Sequence, residues 1–472
     1  MTIVTSRSPR APSDRALTSV FVALGLVLGG GLLHAQEDGD ATPPDVDSAY
    51  AAGFEHQKNK RTDAAVAAYE QALALDPDHV PSLYEIGWSY WVLGRWSEVV
   101  RVWERVLELE PDHDKVPQYL DEARAKAALR KRLEEGVGGD GAPEDVERAD
   151  GPGLRFAFGG DTMMGSPLTG PGLPKDDGAA LFAAYSERMN AADIAFLNLE
   201  GVLLDSGRSH KCPEEKTTSC YAFRSPVRYV KNLVDAGVDV VSFANNHAND
   251  YGPTGRSSTT GALDAAKIAV AGPLDRTAIL ERDGVRVGVL GFATSPLGGD
   301  VRDIELAVAM VQDMTEKADL VIVSFHGGAE GTRAQRVPPG KETFLGEDRG
   351  DLRRFSRAVV DAGADLVIGH GPHVLRGMEV YKDRLIAYSL GNFITYGGFN
   401  LSGMNGLSVL LEVDLHPDGR LASGTIVSGR QVPPGGPMLD PGHEAAKVIR
   451  ELSAADFPDT APTIEDDGRL SP

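Results

Sequence analysis

Cysteine is nearly absent from this chain of 472 residues: there are two, Cys212 and Cys220, in HKCPEEKTTSCYAF. Basic residues are also scarce, 47 against 69 acidic ones, which leaves a net charge of −22. A field of that sign keeps a protein soluble and repels polyanions at long range. No basic stripe is available to displace counterions from phosphates, so a nucleic-acid partner is excluded. Wholesale disorder is excluded too, because 42% of residues are apolar and 25% charged, as in ordinary globular proteins. The length exceeds one core, and about two or three domains are expected.

An apolar run lies at the amino end. Arg7, Arg10 and Arg15 precede ALTSVFVALGLVLGGGLL, and HAQ follows, with the small Ala35 at a plausible cut site. Leu33, two positions earlier, is larger than cleavage prefers, and about 18 apolar residues are borderline for spanning a bilayer. Residues 1–35 therefore read as a signal peptide or a membrane anchor, and both stay open. No cysteine follows the segment, which excludes a lipid-anchored lipoprotein. Either way the chain is expected to be exported, to a periplasmic or other extracytoplasmic space or to the outer face of the inner membrane. In an oxidising compartment Cys212 and Cys220 read as a disulfide closing a small loop. Its contribution would be about 2 to 3 kcal/mol. The rival reading, half a metal site, lacks a second cysteine pair.

Residues 46–135 repeat. LALDPDH ends at His79 and LELEPDH at His113, 34 residues later; in that register Gly53 matches Gly87, Tyr69 matches Trp103 and Pro77 matches Pro111. A helix–turn–helix unit with glycine, aromatic and proline at these offsets resembles the tetratricopeptide repeat. The glycine lets helices approach, the aromatic fills the groove and the proline ends the second helix. VPQYLDEARAKAALRKRLEEG supplies a capping helix or helix pair. A solvated spacer is the plain alternative; a concave docking face for a protein partner is the functional one. Residues 136–153, GVGGDGAPEDVERADGPG, read as a flexible acidic linker.

From Leu154 to about residue 430 short apolar runs alternate with helical stretches. LRFAFGGD, IAFLNLE, VDVVSFANNH, RVGVLGFA, LVIVSFH and DLVIGH read as strands; SPVRYVKNLVDAG, DIELAVAMVQDMTEKAD and RGDLRRFSRAVVDAGA read as helices. The alternation predicts an α/β fold with helices covering sheet faces. RLIAYSLGNFI reads as a further strand, and GLSVLLEVDLHPDGRLASGTIVSGRQV as a hairpin of an additional antiparallel sheet. Residues 431–472 read as a C-terminal extension, with one short helix around HEAAKVIREL.

Polar residues recur where these strands end: Asp161, Glu200, Asn246 with His247, His326, and His370 with His373. Alone, each has a plain explanation, such as a turn cap or a satisfied core histidine. Together they sit on the edge where open α/β sheets bind ligands. Carboxylates, an amide and imidazoles converging there form a donor set for one or two divalent ions, zinc, manganese or iron. A paired site would polarise an oxyanion and activate water.

The series GGDTMMG, NLEGVL, SFANNHANDYG, VSFHGGAE, VIGHGPHVLRGMEVY and YSLGNF resembles the poly-γ-glutamate capsule biosynthesis (CapA-like) family, within the calcineurin-like metallophosphoesterases. The resemblance covers residues 154–430. It implies a four-layer α/β/β/α sandwich with Asp161, Glu200, Asn246, His326, His370 and His373 as metal ligands. His247 then resembles the histidine that contacts phosphate and protonates a leaving group, and Asn246 also orients substrate. Three features depart from the pattern. Asp161 is followed by Thr162 and Met163 where metallophosphoesterases carry Asp-x-His. GHGPH replaces the commoner GHxH. Gly327 follows His326 where a tryptophan is frequent, which predicts a more open pocket wall.

Two functions follow. In one, an exported metal-dependent hydrolase cleaves a phosphoester or a γ-glutamyl amide during capsule or polyglutamate synthesis. In the other, the chain is a non-catalytic structural or export factor for an anionic surface polymer, docking the synthase or another protein through its repeats.

Overall fold

The computed structural model describes residues 45–59, 61–136, 153–209, 211–212, 220–273, 276, 278–294 and 298–472. The export signal or anchor expected over 1–35 and nearly all of the expected linker lie outside the described residues. Among the described residues no helix is long and apolar enough to cross a membrane.

Five helices come first: Val46–Lys58, Thr62–Leu75, Val80–Val92, Trp96–Leu109 and Val116–Gly136. Each packs on the next, around a core that includes Tyr69, Leu83, Ile86, Trp103 and Leu120. The repeat glycines are required for this packing. A Cβ on Gly53 would lie 2.6 Å from the Tyr69 ring, and one on Gly87 only 2.0 Å from Trp103 Nε1. Because all four tryptophans, Trp88, Trp91, Trp96 and Trp103, lie in this region, indole fluorescence follows the repeats alone. Gly87→Ala is expected to lower the fluorescence-detected unfolding free energy by about 1–3 kcal/mol through overpacking. A fluorescence transition unmoved by this substitution would contradict the packing.

The fifth helix does more than cap. Leu129 enters the core under the helices Ile304–Thr315 and Leu352–Asp361, and Arg130 Nη2 lies 3.3 Å from Asp303 Oδ2. The repeats are thereby packed onto the α/β region.

That region holds two large sheets. In the ten-stranded one, Leu154–Met163, Ile194–Leu199, Val240–Ser242 and Ala269–Ala271 run parallel, with Leu407–Leu415 antiparallel on the other side of the first. In the seven-stranded one, Val285–Ala293, Leu320–His326, Leu366–His370 and Arg384–Ala387 run parallel. Side chains alternate across each strand. Phe156 and Phe158 meet Val287, Val289, Ile322 and Ile368 between the sheets. Ala157, Ala195 and Leu197 face the other way, with Met189, Leu233 and Leu263. Val321, Val323 and Val367 face Leu306, Val311, Phe355 and Val359. Both faces of the central parallel strands are buried, which explains why those strands read as nearly continuous apolar runs. The result is a four-layer α/β/β/α sandwich.

Two tail readings are corrected. RLIAYSLGNFI is not one strand: Arg384–Ala387 belongs to the seven-stranded sheet, whereas Asn392–Thr395 joins the ten-stranded one beside Leu154–Met163. The chain crosses between sheets at Gly391, with φ of 62°. A Cβ on Gly160 would lie 2.2 Å from the Gly391 oxygen, so this crossing needs glycine. Residues past 431, read as an extension, contribute the strands Pro437–Leu439, Thr463–Ile464 and Arg469–Ser471 to the ten-stranded sheet. The helix Glu444–Asp456 closes the core between the sheets with Ala445, Ala446 and Ile449.

Candidate metal centre

The strand-end positions converge. Asp161 lies near the end of its strand, Glu200 follows Leu199 directly, and Asn246 and His247 sit on the loop after Ser242. His326 and His370 are the last residues of neighbouring strands and pair in register. Donor atoms of Asp161, Glu200 and His326 all lie within 4.8 Å of one another. Glu200 Oε1 is 3.5 Å from His326 Nε2, 3.7 Å from His373 Nε2 and 3.9 Å from His247 Nε2. Asp161 is 3.6 Å from His370 Nδ1 through one oxygen and 3.0 Å from His373 Nδ1 through the other. Close approach shapes the GHGPH turn: a Cβ on Gly369 would lie 2.3 Å from the Tyr388 oxygen. His373 itself adopts a left-handed φ of 56°.

Whether these residues fit an ion is decided by the atoms left over. Both carboxylate oxygens of Glu200, both ring nitrogens of His326 and His370 and Oδ1 of Asn246 are buried without a hydrogen-bond partner among the described residues, and Oδ2 of Asp161 and Nδ1 of His373 have only each other, 3.0 Å apart. Each such atom costs about 1–3 kcal/mol if nothing satisfies it. A cluster made largely of acceptors is satisfied by cations, and carboxylate, amide oxygen and imidazole together suit divalent transition metals. The residues present fit one or two such ions.

The electrostatics agree. Burial pushes Glu200 up to about 7, opposed by His373 and reinforced by Asp161. Burial pushes the His326 ring down to about 3 and the His370 ring down to about 4, which keeps both in the neutral, ligating form. Burial also acts upward on Asp161, but His373, His326 and His370 outweigh it and hold the carboxyl below its usual range. At His373 burial acts downward, and Glu200 and Asp161 outweigh it, raising the ring to about 10. Without an ion, a proton on His373 supplies the positive charge.

His247 is held differently. Its Nδ1 lies 2.7 Å from Asp250 Oδ2, which also accepts the Phe223 backbone N–H at 2.7 Å. Lys211 Nζ is 3.4 Å from the same Nδ1 and 3.3 Å from Asp250 Oδ1. The shorter carboxylate contact wins, so Nδ1–H donates to Asp250 and Nε2 faces Glu200. The ring packs on Phe223, centroids 4.2 Å apart.

Sequence reasoning missed this orienting layer. Asp250 stands three residues after His247, and that spacing was its only signal. Asn198 donates to Asp161 Oδ1 at 2.9 Å and accepts from Asn245 at 3.0 Å; Asn245 in turn accepts the His247 backbone N–H at 3.0 Å. Asn198 was findable, two residues before Glu200 on the same strand face. Such supports fix ligand orientation. Gly327 packs closely on its neighbours: a Cβ there would lie 3.1 Å from the Arg349 oxygen and 3.2 Å from Leu352. Met163, where the histidine of Asp-x-His would stand, accepts the Gly165 N–H on its sulfur at 3.1 Å. A cleft of about 410 Å³ opens above the cluster, lined by Phe223, Asn246, His247, Arg333, His373 and Phe399 among others.

Cys212 and Cys220 are paired, Cα atoms 5.9 Å apart, directly after Lys211. Cys220→Ser is expected to lower stability by about 2 to 3 kcal/mol by loop closure while leaving metal content unchanged. Loss of metal in that variant, read by mass spectrometry, would make the bridge part of the site.

The family model described as "Bacterial capsule synthesis protein PGA_cap" matches residues 155–396. The chain belongs to this family. A tetratricopeptide-repeat model matches residues 46–79. Among curated relatives, "Capsule biosynthesis protein CapA" of Bacillus anthracis is 29% identical over 53% of this chain and 61% of its own length. "PGA biosynthesis protein CapA" of Bacillus subtilis (strain 168) is 29% identical over 51% of this chain and 63% of its own. The chain thus spans about three fifths of the length of these relatives. A 5'-nucleotidase precursor from Thermus thermophilus overlays 64% of this chain and 58% of that one at 15% identity, with a TM-score of 0.33. The layering rests on this chain's own strand pairings.

Proposed function

We propose that this protein is an exported, metal-dependent hydrolase acting in the synthesis of a capsule or polyglutamate polymer. The observation that carries the reading is the buried cluster of Asp161, Glu200, Asn246, His326, His370 and His373, in which carboxylate, amide and imidazole atoms are left without hydrogen-bond partners among the described residues, beside a cleft that Asn246 and His373 line. Divalent ions held there would supply Lewis acidity to a phosphoryl or carbonyl oxygen and to the attacking water. The chain's own residues do the rest. Asp250 fixes the His247 ring through Nδ1. His247 Nε2 then faces the site, where it can pass a proton to a leaving group. The Asn198–Asn245 chain holds Asp161 and the His247 backbone in one frame. Phe223 and Phe399 form an apolar side of the cleft, which limits water beside the leaving group.

Export is supported by the Cys212–Cys220 pair, a bond that persists in oxidising compartments. The repeats favour a docked protein partner, with the polymer's synthase as the proposed one. The names of the curated relatives support the polymer assignment, and the choice between phosphoester and γ-glutamyl amide is left to assay.

The test is metal content of the purified protein beside a His370→Ala/His373→Ala variant. One or two equivalents of zinc, manganese or iron in the parent, lost in the variant, are expected. Hydrolysis of phosphoesters or γ-glutamyl amides should disappear with the metal. A parent that binds no ion after reconstitution sinks the hydrolase, and the repeats then become the functional part.

A further inference from the structure

Asn392 was not among the expected ligands, because the strand that carries it was read as continuous with Arg384–Ala387. The crossing between sheets places it beside Asp161: their Cα atoms are register partners in parallel strands, with an irregularity just beyond. Asn392 is 1% exposed and lines the same cleft as Asn246, His247 and His373.

Its amide orientation is fixed by its neighbours. Nδ2 donates to the His373 oxygen at 3.3 Å and to the Asn405 oxygen at 3.0 Å. Both partners are carbonyls and can only accept, so the NH2 group must face them. Oδ1 therefore points the other way. It is buried and has no hydrogen-bond partner among the described residues. The backbone is pinned as well, since Gln431 Nε2 donates to the Asn392 carbonyl at 3.2 Å. A buried acceptor fixed on the strand beside Asp161, in the cleft that His373 also lines and with no donor offered to it among the described residues, is placed as a ligand would be.

We infer that Asn392 Oδ1 is a further metal ligand. The inference rests on the metal-site reading above. An amide oxygen is a harder donor than an imidazole nitrogen, and hard oxygen donors suit manganese.

The test uses Mn(II) titrated calorimetrically into the full-length protein, with Asn392→Ala and Asn405→Ala as a pair. Asn405 Nδ2 donates to the same His373 oxygen, at 3.2 Å, so its loss reports what holding that carbonyl is worth. Asn392→Ala is expected to lose one equivalent of Mn(II) or at least about tenfold in affinity, and Asn405→Ala much less. The visible bands of Co(II)-loaded protein, which follow coordination and not turnover, should shift only in Asn392→Ala. Equal effects from both variants would make Asn392 a positioning residue for His373 and overturn the inference while leaving the metal site standing. A parent that binds no metal would remove both. Should Asn392→Ala fail to fold, an anomalous-scattering map of the Mn(II)-loaded parent decides: Oδ1 in bonding contact with an ion supports the inference, and Oδ1 outside contact distance overturns it.

Discussion

Glu200→Gln is expected to abolish tight metal binding, at least about 100-fold by the scale of ligand and support losses, and with it the proposed hydrolysis. Glu200 is the hub of the cluster, within 3.9 Å of His326, His373 and His247. The same substitution should not harm the metal-free protein. Burial lifts the Glu200 pKa from 4.5 to about 7, so the folded state holds this proton more tightly than the unfolded state does. An acid shifted that way contributes stability below about pH 4.5 that is lost as pH rises through about 7. By pH 8 the loss is on the order of 3 kcal/mol, with the opposing effect of His373 already included in the shift. Gln carries no such penalty. In the presence of a chelator at pH 8, Glu200→Gln should therefore unfold at higher denaturant than the parent, with the difference shrinking toward pH 5. A variant that keeps its metal, or a metal-free variant less stable than the parent at pH 8, would show that Glu200 does not bear the site's charge.

The largest expected loss of stability comes from Arg376→Ala. Arg376 is fully buried three residues past His373 and meets Glu342 through two contacts of 2.8 and 2.7 Å. Its Nε donates to the Ala334 oxygen at 2.8 Å and its Nη2 to the Ala329 oxygen at 3.2 Å. Glu342 also accepts the Ala329 N–H at 2.9 Å. One guanidinium thus ties the loop bearing Glu330 and Arg333, a wall of the cleft, to the segment bearing His370 and His373. Truncation leaves the Glu342 charge buried without its partner, a cost of about 3–5 kcal/mol. Arg376→Lys should recover only part, because an ammonium cannot make the forked contact. Replacing both partners, as in Arg376→Met/Glu342→Leu, should recover more than either single change. Urea unfolding reads all three. A loss under about 1 kcal/mol for Arg376→Ala would mean that water or a shifted loop replaces the guanidinium.

The sequence by itself determined the helical repeats, an α/β fold and the polar residues at strand ends, while the four-layer arrangement was implied by the family resemblance alone. These signals are local: a 34-residue spacing of glycine and aromatic, apolar runs of strand length, and a polar residue where each run stops. Asp161, Glu200, Asn246, His247, His326, His370 and His373 were legible for that reason. The tertiary structure decided what depends on distant segments meeting. It split RLIAYSLGNFI between two sheets and so brought Asn392 beside Asp161. It built residues past 431 into the sandwich and packed Leu129 of the fifth helix onto the α/β core. It also chose which polar atoms are satisfied and which are left for an ion. Asp250, Asn198 and Arg376 look like ordinary loop and strand residues in the chain, because a hydrogen bond or a desolvated charge exists only once its partner has been folded against it.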